Sequence, residues 1–283
     1  MRSFIKRLVA RLPWKARKLV MFFVEHGLVS RTPFSGVYAS FGDVPGTMQT
    51  AEADQAAAAA RGIAQGPNRD EATDLPRLRR AHSLMPLVVA MLAGEQRNEP
   101  VNILDFGGAA GVDFANLLAA LGPQINVRYH VVDFPKVCAV GRDHWRDESR
   151  ISFGDALPPS ADFDLVYCWS SIHYVADPLG LLAQFAGYRP TAILLAGSPF
   201  TSGDAFVRAQ VNQSVPFPQW VLSLPDLERR MEACGYAMVF HVAGEDDYNV
   251  DNYPPRYRVP NSASLLFLKS GAGGLSSRQR SAV

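Results

Sequence analysis

Residues 102–114, NILDFGGAAGVDF, decide the fold because they join an apolar strand to a helix through a glycine-rich turn. The strand is predicted from Val101 to Phe106 and the helix from Val112 to Leu121. In open α/β sheets, the backbone N–H groups at such a helix start face a cleft at the strand ends. A sharp turn and a close ligand approach both require residues without a side chain. The residues that meet this requirement are Gly107, Gly108 and Gly111.

The alternation of strand and helix continues after this turn. Apolar runs predict further strands at Val127 to Asp133, Arg150 to Phe153, Phe163 to Trp169 and Thr191 to Ala196, with helices at Pro135 to Trp145 and Leu179 to Tyr188. Nearly continuous apolar strands are typical of a parallel sheet whose two faces are covered by helices. After the helix Leu224 to Cys234, the strands Tyr236 to Val242 and Ser262 to Leu268 have no helix between them, which predicts an antiparallel pair at the sheet edge. The predicted fold is α/β, a doubly wound and mostly parallel sheet with an antiparallel terminal strand.

A helical N-terminal cap is expected before this domain. Apolar residues at helical spacing with basic residues between them predict a basic amphipathic start over residues 1–26. The segment 31–46 is predicted to be a loop, Thr50 to Ala64 a helix, and Asp74 to Gly94 a helix kinked or divided by Pro86. We therefore divide the chain into a helical region (1–98), the α/β domain (99–269) and a flexible tail (270–283).

The ligand of the glycine turn is predicted from the acid that precedes it. A dinucleotide is disfavoured because the G-x-G-x-x-G spacing fails, with Ala109 or Ala110 at the second glycine position. Asp105 would also lie near a pyrophosphate, and like charges about 4 Å apart repel by roughly 4 kcal/mol at an effective dielectric constant of about 20. S-adenosyl-L-methionine has no phosphate and carries an ammonium and a sulfonium. Asp105 would attract both groups.

Two further acids follow the next strands of the predicted sheet. Asp133 ends the second strand, where a carboxylate can accept hydrogen bonds from both hydroxyls of a ribose. Asp155 follows the third strand, where it could accept from an adenine amino group while Ala156 offers its backbone N–H. Either acid alone is more often a turn or cap residue. Three acids at successive strand ends beside a glycine turn favour an S-adenosylmethionine site.

These motifs resemble those of class I, Rossmann-fold methyltransferases that use S-adenosylmethionine. DFGGAAG (105–111) resembles their first motif, HVVDFP (130–135) the second, FGDAL (153–157) the third, and DFDLVYCWSSIHYVADP (162–178) the region of their fourth strand. Ala109 stands where that family usually has glycine. The resemblance implies a methyltransferase and adds the motif residues Phe134 and Ser170 to the cofactor site. FSGVYASF (34–41), ILDFGGAAG (103–111) and SSIHYVADP (170–178) together also resemble a bacterial family of methyltransferases associated with surface-polysaccharide gene clusters, which implies a glycan acceptor.

Methyl transfer to a hydroxyl benefits from a general base, a role that histidine often fills. His173 follows the fourth predicted strand, at the sheet edge where ligands bind, and we expect it to be the catalytic base of an O-methylation. A structural role for His173 is an equal alternative, and His82, Tyr38 and Tyr174 are weaker candidates. The stretch Ser198 to Leu222 could form a wall or lid of the acceptor pocket, or a simple surface connection.

Composition limits the partners and the location. The net charge of +1 gives no global argument for nucleic acid, so a small-molecule or glycan acceptor is expected. The three cysteines have neither disulfide-framework nor zinc-ligand spacing, no metal site is expected, and a reducing cytoplasm fits best. No apolar run approaches the ~20 residues of a membrane span. The basic residues within 1–26 suggest peripheral contact with anionic membranes.

Two other functions remain open at this point. A metal-dependent glycosyltransferase is suggested by the D-x-D pattern of Asp162 and Asp164, although this pair precedes an apolar strand where such a site should follow one. A non-catalytic, cofactor-binding scaffold at the membrane surface is suggested by the basic start of the chain. Binding of a sugar nucleotide with a divalent metal would favour the first, and cofactor binding without methyl transfer the second.

Overall fold

The structure is a computed structural model that describes residues 33–44, 46, 52–67, 80–95, 99–211, 216–244 and 246–271, with the backbone alone for residues 80–83. The predicted amphipathic start (1–26) and most of the predicted tail (270–283) lie outside these residues. In the described part of the chain, no helix combines the length and the apolar character that a membrane span requires.

The strands and helices are named in chain order. The strands are β1 (Phe34–Tyr38), β2 (Val101–Phe106), β3 (Val127–Val132), β4 (Ile151–Gly154), β5 (Leu165–Trp169), β6 (Ala192–Ser198), β7 (Phe200–Thr201), β8 (Phe206–Gln210), β9 (Phe217–Ser223), β10 (Tyr236–Ala243) and β11 (Ala263–Lys269). The helices are α1 (Glu52–Gln65), α2 (Arg80–Glu95), α3 (Val112–Leu121), α4 (Pro135–His144), α5 (Pro178–Gly187) and α6 (Leu224–Ala233).

A seven-stranded sheet forms the centre of the molecule, with the strand order β10-β11-β6-β5-β2-β3-β4. The strands β2 to β6 run parallel to one another. The strand β11 is antiparallel to β6, and β10 is antiparallel to β11 at the edge. The predicted fold class, with its antiparallel terminal strands, is confirmed.

Helices cover both faces of this sheet, as the apolar strands predicted. On one face, Met85 and Val89 of α2 pack with Phe114 and Leu117 of α3 against the strands. On the other face the core is formed with residues of α5 and α6. Burial of apolar side chains in these two layers contributes most to the stability of a doubly wound domain. Pro86 lies inside α2 and does not divide it.

A second, four-stranded sheet of order β1-β8-β9-β7 was not predicted. The segment 31–46 was predicted as a loop, but Phe34–Tyr38 forms β1, which pairs antiparallel with β8 and places Phe34 opposite Gln210. The stretch Ser198 to Leu222, left open as wall, lid or connection, contributes the other three strands. The loop prediction was wrong because local glycine and proline signals say nothing of hydrogen bonds to a strand distant in sequence.

Helix α1 lies over the glycine turn. Ala59 and Ile63 pack against Ala110 of the turn and against Val137 in the first turn of α4. The carboxylate of Glu52 accepts a hydrogen bond from the backbone N–H of Lys136 at 3.0 Å, at the start of α4. A carboxylate at a helix N-terminus is favourable because the N–H groups there have no helical partner. These contacts position α1 as a cover for the strand ends.

Candidate active site

The glycine turn between β2 and α3 has no room for side chains. A Cβ on Gly107, where φ is +74°, would lie 2.0 Å from Ser171 Oγ, and a Cβ on Gly108 would lie 2.1 Å from Asp105 Oδ2. Gly111 has φ +83° and packs against Ile151 of β4, so its role is close contact between helix and strand. The turn therefore requires glycine at these positions, and a ligand can reach its backbone.

Ala109 adopts the left-handed conformation that glycine usually supplies. Its φ is +52°, one of three positive values among the described non-glycine residues. The conformation costs an L-residue roughly 1–2 kcal/mol. Alanine is therefore accommodated in this turn at some cost to the stability of the protein.

A cavity of about 560 Å³ opens at the carboxyl ends of the parallel strands. This volume is within the range of small-molecule sites, roughly 300–1,000 Å³. Its walls include the following residues of the predicted site: Gly107, Gly108, Ala109, Asp133, Phe134, Asp155 and Ser170. The predicted site residues that lie outside its lining are Asp105, Gly111, Ala156 and His173.

The structure adds residues to the cavity that the site prediction missed. Gln55, Ala58 and Gly62 of α1 line it above the glycine turn, and Phe217 of β9 and Gln210 of β8 line it at the other end. No local sequence signal marks these residues, since they reach the cavity only through the packing of α1 and the pairing of the second sheet. Asp113 in the first turn of α3 also lines it.

Asp133 connects β3 to the glycine turn. Its Oδ2 accepts a hydrogen bond from the backbone N–H of Ala109 at 2.9 Å, and its Oδ1 accepts from that of Phe134 at 2.7 Å. Burial raises the pKa of this carboxyl above its usual value, while the two backbone hydrogen bonds act in the opposite direction. Each carboxylate oxygen can accept more than one hydrogen bond, so Asp133 can hold the turn and still accept from a ribose hydroxyl.

Asp105 lies beneath the glycine turn and is completely buried. Its Oδ2 accepts a hydrogen bond from the hydroxyl of Tyr129 at 2.7 Å, whereas its buried Oδ1 has no partner among the described residues. Burial, and then the charge of Asp113, raise the pKa of Asp105 well above its usual value. A buried carboxyl with an unsatisfied oxygen is costly, and a cationic group in the adjacent cavity would reduce that cost.

His173 lies outside the cavity lining. It lies in the short 3-10 turn Ile172–Tyr174 after β5, where its side chain is 1% exposed and its Nδ1 is 2.9 Å from Ser198 Oγ. Burial, and then the charge of Arg208, lower the pKa of His173 to about 3, so the imidazole is neutral near pH 7. The position after the fourth strand of the parallel set was predicted correctly, and the imidazole lies against Ser198, outside the cavity lining.

Tyr174, the next residue, does line the cavity and belongs to a chain of buried polar groups. Its hydroxyl donates to Gln210 Oε1 at 2.5 Å and accepts from Gln219 Nε2 at 3.2 Å. Gln219 Oε1 in turn accepts from Arg208 Nε at 2.7 Å. Burial raises the pKa of Tyr174 to about 12, so its hydroxyl remains protonated near neutral pH.

The other candidates lie elsewhere. Tyr38 packs with Val44, Val207 and Ala209, away from the cavity lining. The side chain of His82 is outside the described residues. Asp164 accepts a hydrogen bond from the backbone N–H of Asn102. Asp164 precedes β5 and Asn102 begins β2, so this pair lies at the amino ends of the strands, opposite the cavity. Within the described ranges no group of three acidic, histidine or cysteine side chains could hold a metal ion, so the D-x-D pattern has no supporting site.

The residues present fit S-adenosylmethionine better than a dinucleotide. The glycine turn, whose Gly108 packs directly on Asp105, provides backbone access, and Asp133 provides acceptors next to it. The cavity acids are Asp113, Asp133 and Asp155, and the unsatisfied Oδ1 of Asp105 lies just beneath the lining. This arrangement suits a ligand with hydroxyls and positive charges, and it would repel a pyrophosphate.

Fold and site together define an S-adenosylmethionine-dependent methyltransferase of the Rossmann type. A family model described as a methyltransferase domain matches residues 77–241, which is more than half of the chain. The chain therefore belongs to this family, and the predicted enzyme class and cofactor are confirmed. A search of curated proteins found no match.

Solved structures with a similar fold include the (4+2)-cyclase SpnF, at 12% identity and a TM-score of 0.50, over 83% of this chain and 99% of that chain. The Burkholderia thailandensis 1,6-didemethyltoxoflavin-N1-methyltransferase is 17% identical with a TM-score of 0.47, over 68% of this chain and 79% of its own. Magnesium protoporphyrin IX methyltransferase from Synechocystis PCC 6803 is 13% identical with a TM-score of 0.47, over 67% of this chain and 83% of its own. At these identities the likeness concerns the fold alone.

Proposed function

We propose that this protein transfers a methyl group from S-adenosylmethionine to an oxygen atom of a small-molecule or glycan acceptor bound in the cavity. The observation that carries the proposal is the distribution of polar groups along the cavity. The lining acids Asp113, Asp133 and Asp155 lie around the glycine turn and the ends of β3 and β4. The end formed by Tyr174, Gln210 and Phe217 has aromatic and neutral polar side chains.

The cofactor occupies the acidic end in this proposal. The backbone of Gly107, Gly108 and Ala109 lies against it, Asp133 accepts from its ribose, and Asp155 with Ala156 contacts its adenine. The carboxyl of Asp105 lies near its ammonium group, beneath the turn. When bound, the cofactor supplies an electrophilic methyl group on sulfur, so the protein's task is to align the acceptor and exclude water.

Two features of the neutral end favour oxygen over an amine as the methyl acceptor. An alkyl amine is cationic near neutral pH and would be stabilised by a carboxylate, whereas the acids of the described lining lie at the start of α3 and after β3 and β4, not on β8 or in the turn after β5. The positive charge of Arg208 also acts to lower the pKa of His173 and of Tyr174, although burial raises the pKa of Tyr174 overall. A cationic acceptor would be disfavoured beside this charge.

The general base proposed for a hydroxyl acceptor needs revision. Since His173 is buried, bonded to Ser198 and outside the cavity lining, we assign it to positioning of the turn after β5. Tyr174 remains protonated and is better suited to orient an acceptor oxygen than to remove a proton. An acceptor oxygen that is already ionised near pH 7 would need no base.

The decisive experiment measures binding and transfer separately. Calorimetry with S-adenosylhomocysteine, NAD and a UDP-sugar with manganese should show binding of the first alone. Transfer of a labelled methyl group from S-adenosylmethionine to small molecules extracted from cells should then be detected. Tight NAD binding without S-adenosylhomocysteine binding would refute the proposal. Cofactor binding without methyl transfer to any acceptor would favour the non-catalytic, cofactor-binding scaffold. This distinction matters because a cyclase has a similar fold.

A glycan acceptor and a membrane-peripheral site of action in the cytoplasm are further parts of this proposal. The first is supported by the resemblance of residues 34–41 and 170–178 to methyltransferases of polysaccharide gene clusters. The second is supported by the basic residues within 1–26. Liposome sedimentation tests it: binding to anionic vesicles should fall with added salt and with deletion of residues 1–26. Equal partitioning to neutral vesicles would remove the electrostatic argument.

A further inference from the structure

Two buried acids lie at the glycine turn, and they differ in the donors that surround them. Asp105 is completely buried, its Oδ2 accepts from the hydroxyl of Tyr129 at 2.7 Å, and its Oδ1 has no partner among the described residues. Asp113, in the first turn of α3, lines the cavity and accepts from the side-chain amide of Asn116 at 3.1 Å. The charge of Asp113 acts on Asp105, and two neighbouring carboxyls that are shielded from water do not both ionise readily. Of the two, Asp105 has less to stabilise a negative charge.

The surroundings of Asp105 supply no compensating positive charge. Among the described residues, the titratable groups that interact electrostatically with it are carboxyls, phenols and a thiol: Asp113 on α3, Tyr129 on β3, Asp133 after β3, and Tyr167 and Cys168 on β5. The described lining of the cavity contains no lysine, arginine or histidine, and no described basic side chain forms an ion pair with Asp105. A carboxylate buried without a cation is costly, so the protonated carboxyl is the favoured state before a ligand binds. Burial, and then the charge of Asp113, raise the pKa of Asp105 well above its usual value, in agreement with this state.

Only the glycine turn separates this carboxyl from the cavity. Gly108 lines the cavity, and a Cβ on Gly108 would overlap Asp105 Oδ2. A cation held against the turn would therefore lie about one residue's thickness from Asp105. An opposite charge within about 4–6 Å favours the ionised form of an acid, and it does so more strongly where water is excluded.

We propose that binding of S-adenosylmethionine or S-adenosylhomocysteine expels the proton of Asp105, so that one proton is released to solvent for each cofactor molecule bound. The inference rests on the proposed function, which places the ammonium group of the cofactor near Asp105. The O–H bond of the carboxyl breaks, its electron pair stays on the carboxylate, and the proton passes to a buffer base, while the ammonium keeps its three N–H bonds. The buried carboxylate and the ammonium then compensate each other's charge.

Calorimetry in two buffers measures this proton directly. The heat of S-adenosylhomocysteine binding is recorded in phosphate and in imidazole at the same pH, and its dependence on the ionisation enthalpy of the buffer gives the number of protons released. Between pH 6 and pH 7.5 the release should reach about one proton per ligand, and the affinity should rise with pH by up to about tenfold per unit. The matched ligand is 5′-methylthioadenosine, which has the adenine, ribose and thioether without the amino-acid group. It should release close to none, because its contacts with Asp133 and Asp155 are the same but it has no ammonium.

Three variants assign the proton to Asp105. Asp105→Asn should release none, because asparagine has no acidic proton. Asp113→Asn should still release it, but over a lower pH range, because removal of a neighbouring negative charge lowers the pKa of Asp105. Asp143→Asn, which removes an acid with a 79% exposed side chain on α4, should release it as the wild type does. The affinity for 5′-methylthioadenosine is the folding control in each variant.

Equal proton release by the two ligands, release that persists in Asp105→Asn, or no release by the wild type across this pH range would each overturn the inference. If Asp105→Asn binds S-adenosylhomocysteine too weakly for calorimetry, Asp113→Asn decides: a shift of the release to lower pH supports the inference, and an unchanged pH range contradicts it. A wild-type protein that binds neither ligand would instead refute the proposed function. Binding without proton release would refute the inference alone, so the two failures are distinguishable.

Discussion

The carboxylate of Asp133 accepts a hydrogen bond from the backbone N–H of Ala109 at 2.9 Å. The residue that follows β3 therefore holds the glycine turn that follows β2. A residue that the sequence assigns to the cofactor ribose therefore also holds the loop that the cofactor touches. Loss of its carboxylate should affect the ligand twice, through a missing contact and through a loosened turn.

Asp133→Ala should weaken the binding of S-adenosylhomocysteine by about 1–3 kcal/mol, the scale of lost hydrogen bonds to a charged group. Asp133→Asn should lose less, because its carbonyl oxygen can still accept from one backbone N–H. Titration calorimetry measures both. The matched control is Asp143→Ala on α4, where an acid with a 79% exposed side chain should be replaceable without effect. Unchanged affinity in Asp133→Ala would remove Asp133 from the cofactor site.

Ala109→Gly should stabilise the protein by about 0.5–1 kcal/mol, because glycine adopts φ +52° without the strain that alanine carries. The gain is smaller than the full strain because glycine also increases the conformational entropy of the unfolded chain. Arg189→Gly is the matched control, since Arg189 has φ +57° in the turn after α5, far from the cavity lining. Urea denaturation should show a similar gain for both. A loss of stability in Ala109→Gly alone would mean that the alanine methyl group packs more favourably than its backbone conformation costs.

Asp105→Asn should stabilise the ligand-free protein increasingly as pH rises. Burial raises the pKa of Asp105, so the folded protein holds this proton more tightly than the unfolded chain does. The stability that this proton contributes is lost as the pH rises from the usual pKa of 3.8 to the pKa in the folded protein. Asparagine does not ionise and escapes this loss. The same variant should bind S-adenosylmethionine more weakly, because it cannot attract the ammonium group.

Denaturation curves between pH 5 and pH 8, paired with calorimetry, check both effects of Asp105→Asn. A variant that is less stable than wild type at every pH would show that Asp105 is ionised and compensated in the folded protein. Unchanged affinity would place the ammonium elsewhere.

His173→Gln should flatten the acid side of the stability profile. The pKa of His173 is about 3 in the folded protein and about 6.5 when unfolded, so the unfolded chain binds the extra proton and wild-type stability falls as pH drops below 6.5. Between pH 7.5 and pH 5 this histidine accounts for about 2 kcal/mol of that fall. Urea denaturation of both proteins at the two pH values gives the difference directly.

The methyl-transfer rate of His173→Gln distinguishes a structural from a catalytic histidine. Loss of a general base usually lowers turnover by about 10²–10⁴-fold, whereas we expect a change of less than about tenfold. The assay uses the acceptor identified by transfer of a labelled methyl group to small molecules extracted from cells. A larger loss with normal S-adenosylhomocysteine affinity would return His173 to the catalytic machinery.

Much of the parallel sheet could be predicted from local pattern. Strand β2 and helix α3 have the predicted bounds, and β3 and α4 differ from prediction only at their last residue. The two strands are buried on both faces of the sheet, and the two helices begin at Gly111 or at Pro135. The sequence pattern that predicts each element is therefore contained in a few adjacent residues. The acid at the end of β3 was placed at the cavity for the same reason, since it follows directly from where the strand ends.

The acceptor end of the cavity could not be predicted in this way. Arg208 lies within the stretch Ser198 to Leu222, for which wall, lid and surface connection were all left open, and β1 was expected to be a loop. Their arrangement depends on pairing between Phe34–Tyr38 and Phe206–Gln210, two segments distant in sequence whose hydrogen bonds leave no periodic signal in either. His173 was placed beside the correct strand, but whether its imidazole faces the cavity or Ser198 is decided by packing between elements.

The sequence by itself determined the order of strands and helices in the parallel sheet, the glycine turn and the acids that end β2, β3 and β4, because each depends on residues within one turn or one strand. The tertiary structure alone decided which of those acids is buried, which histidine is removed from the cavity and which arginine lies behind it. Burial and the meeting of distant side chains are properties of the packed molecule, and they set the charge that a ligand encounters.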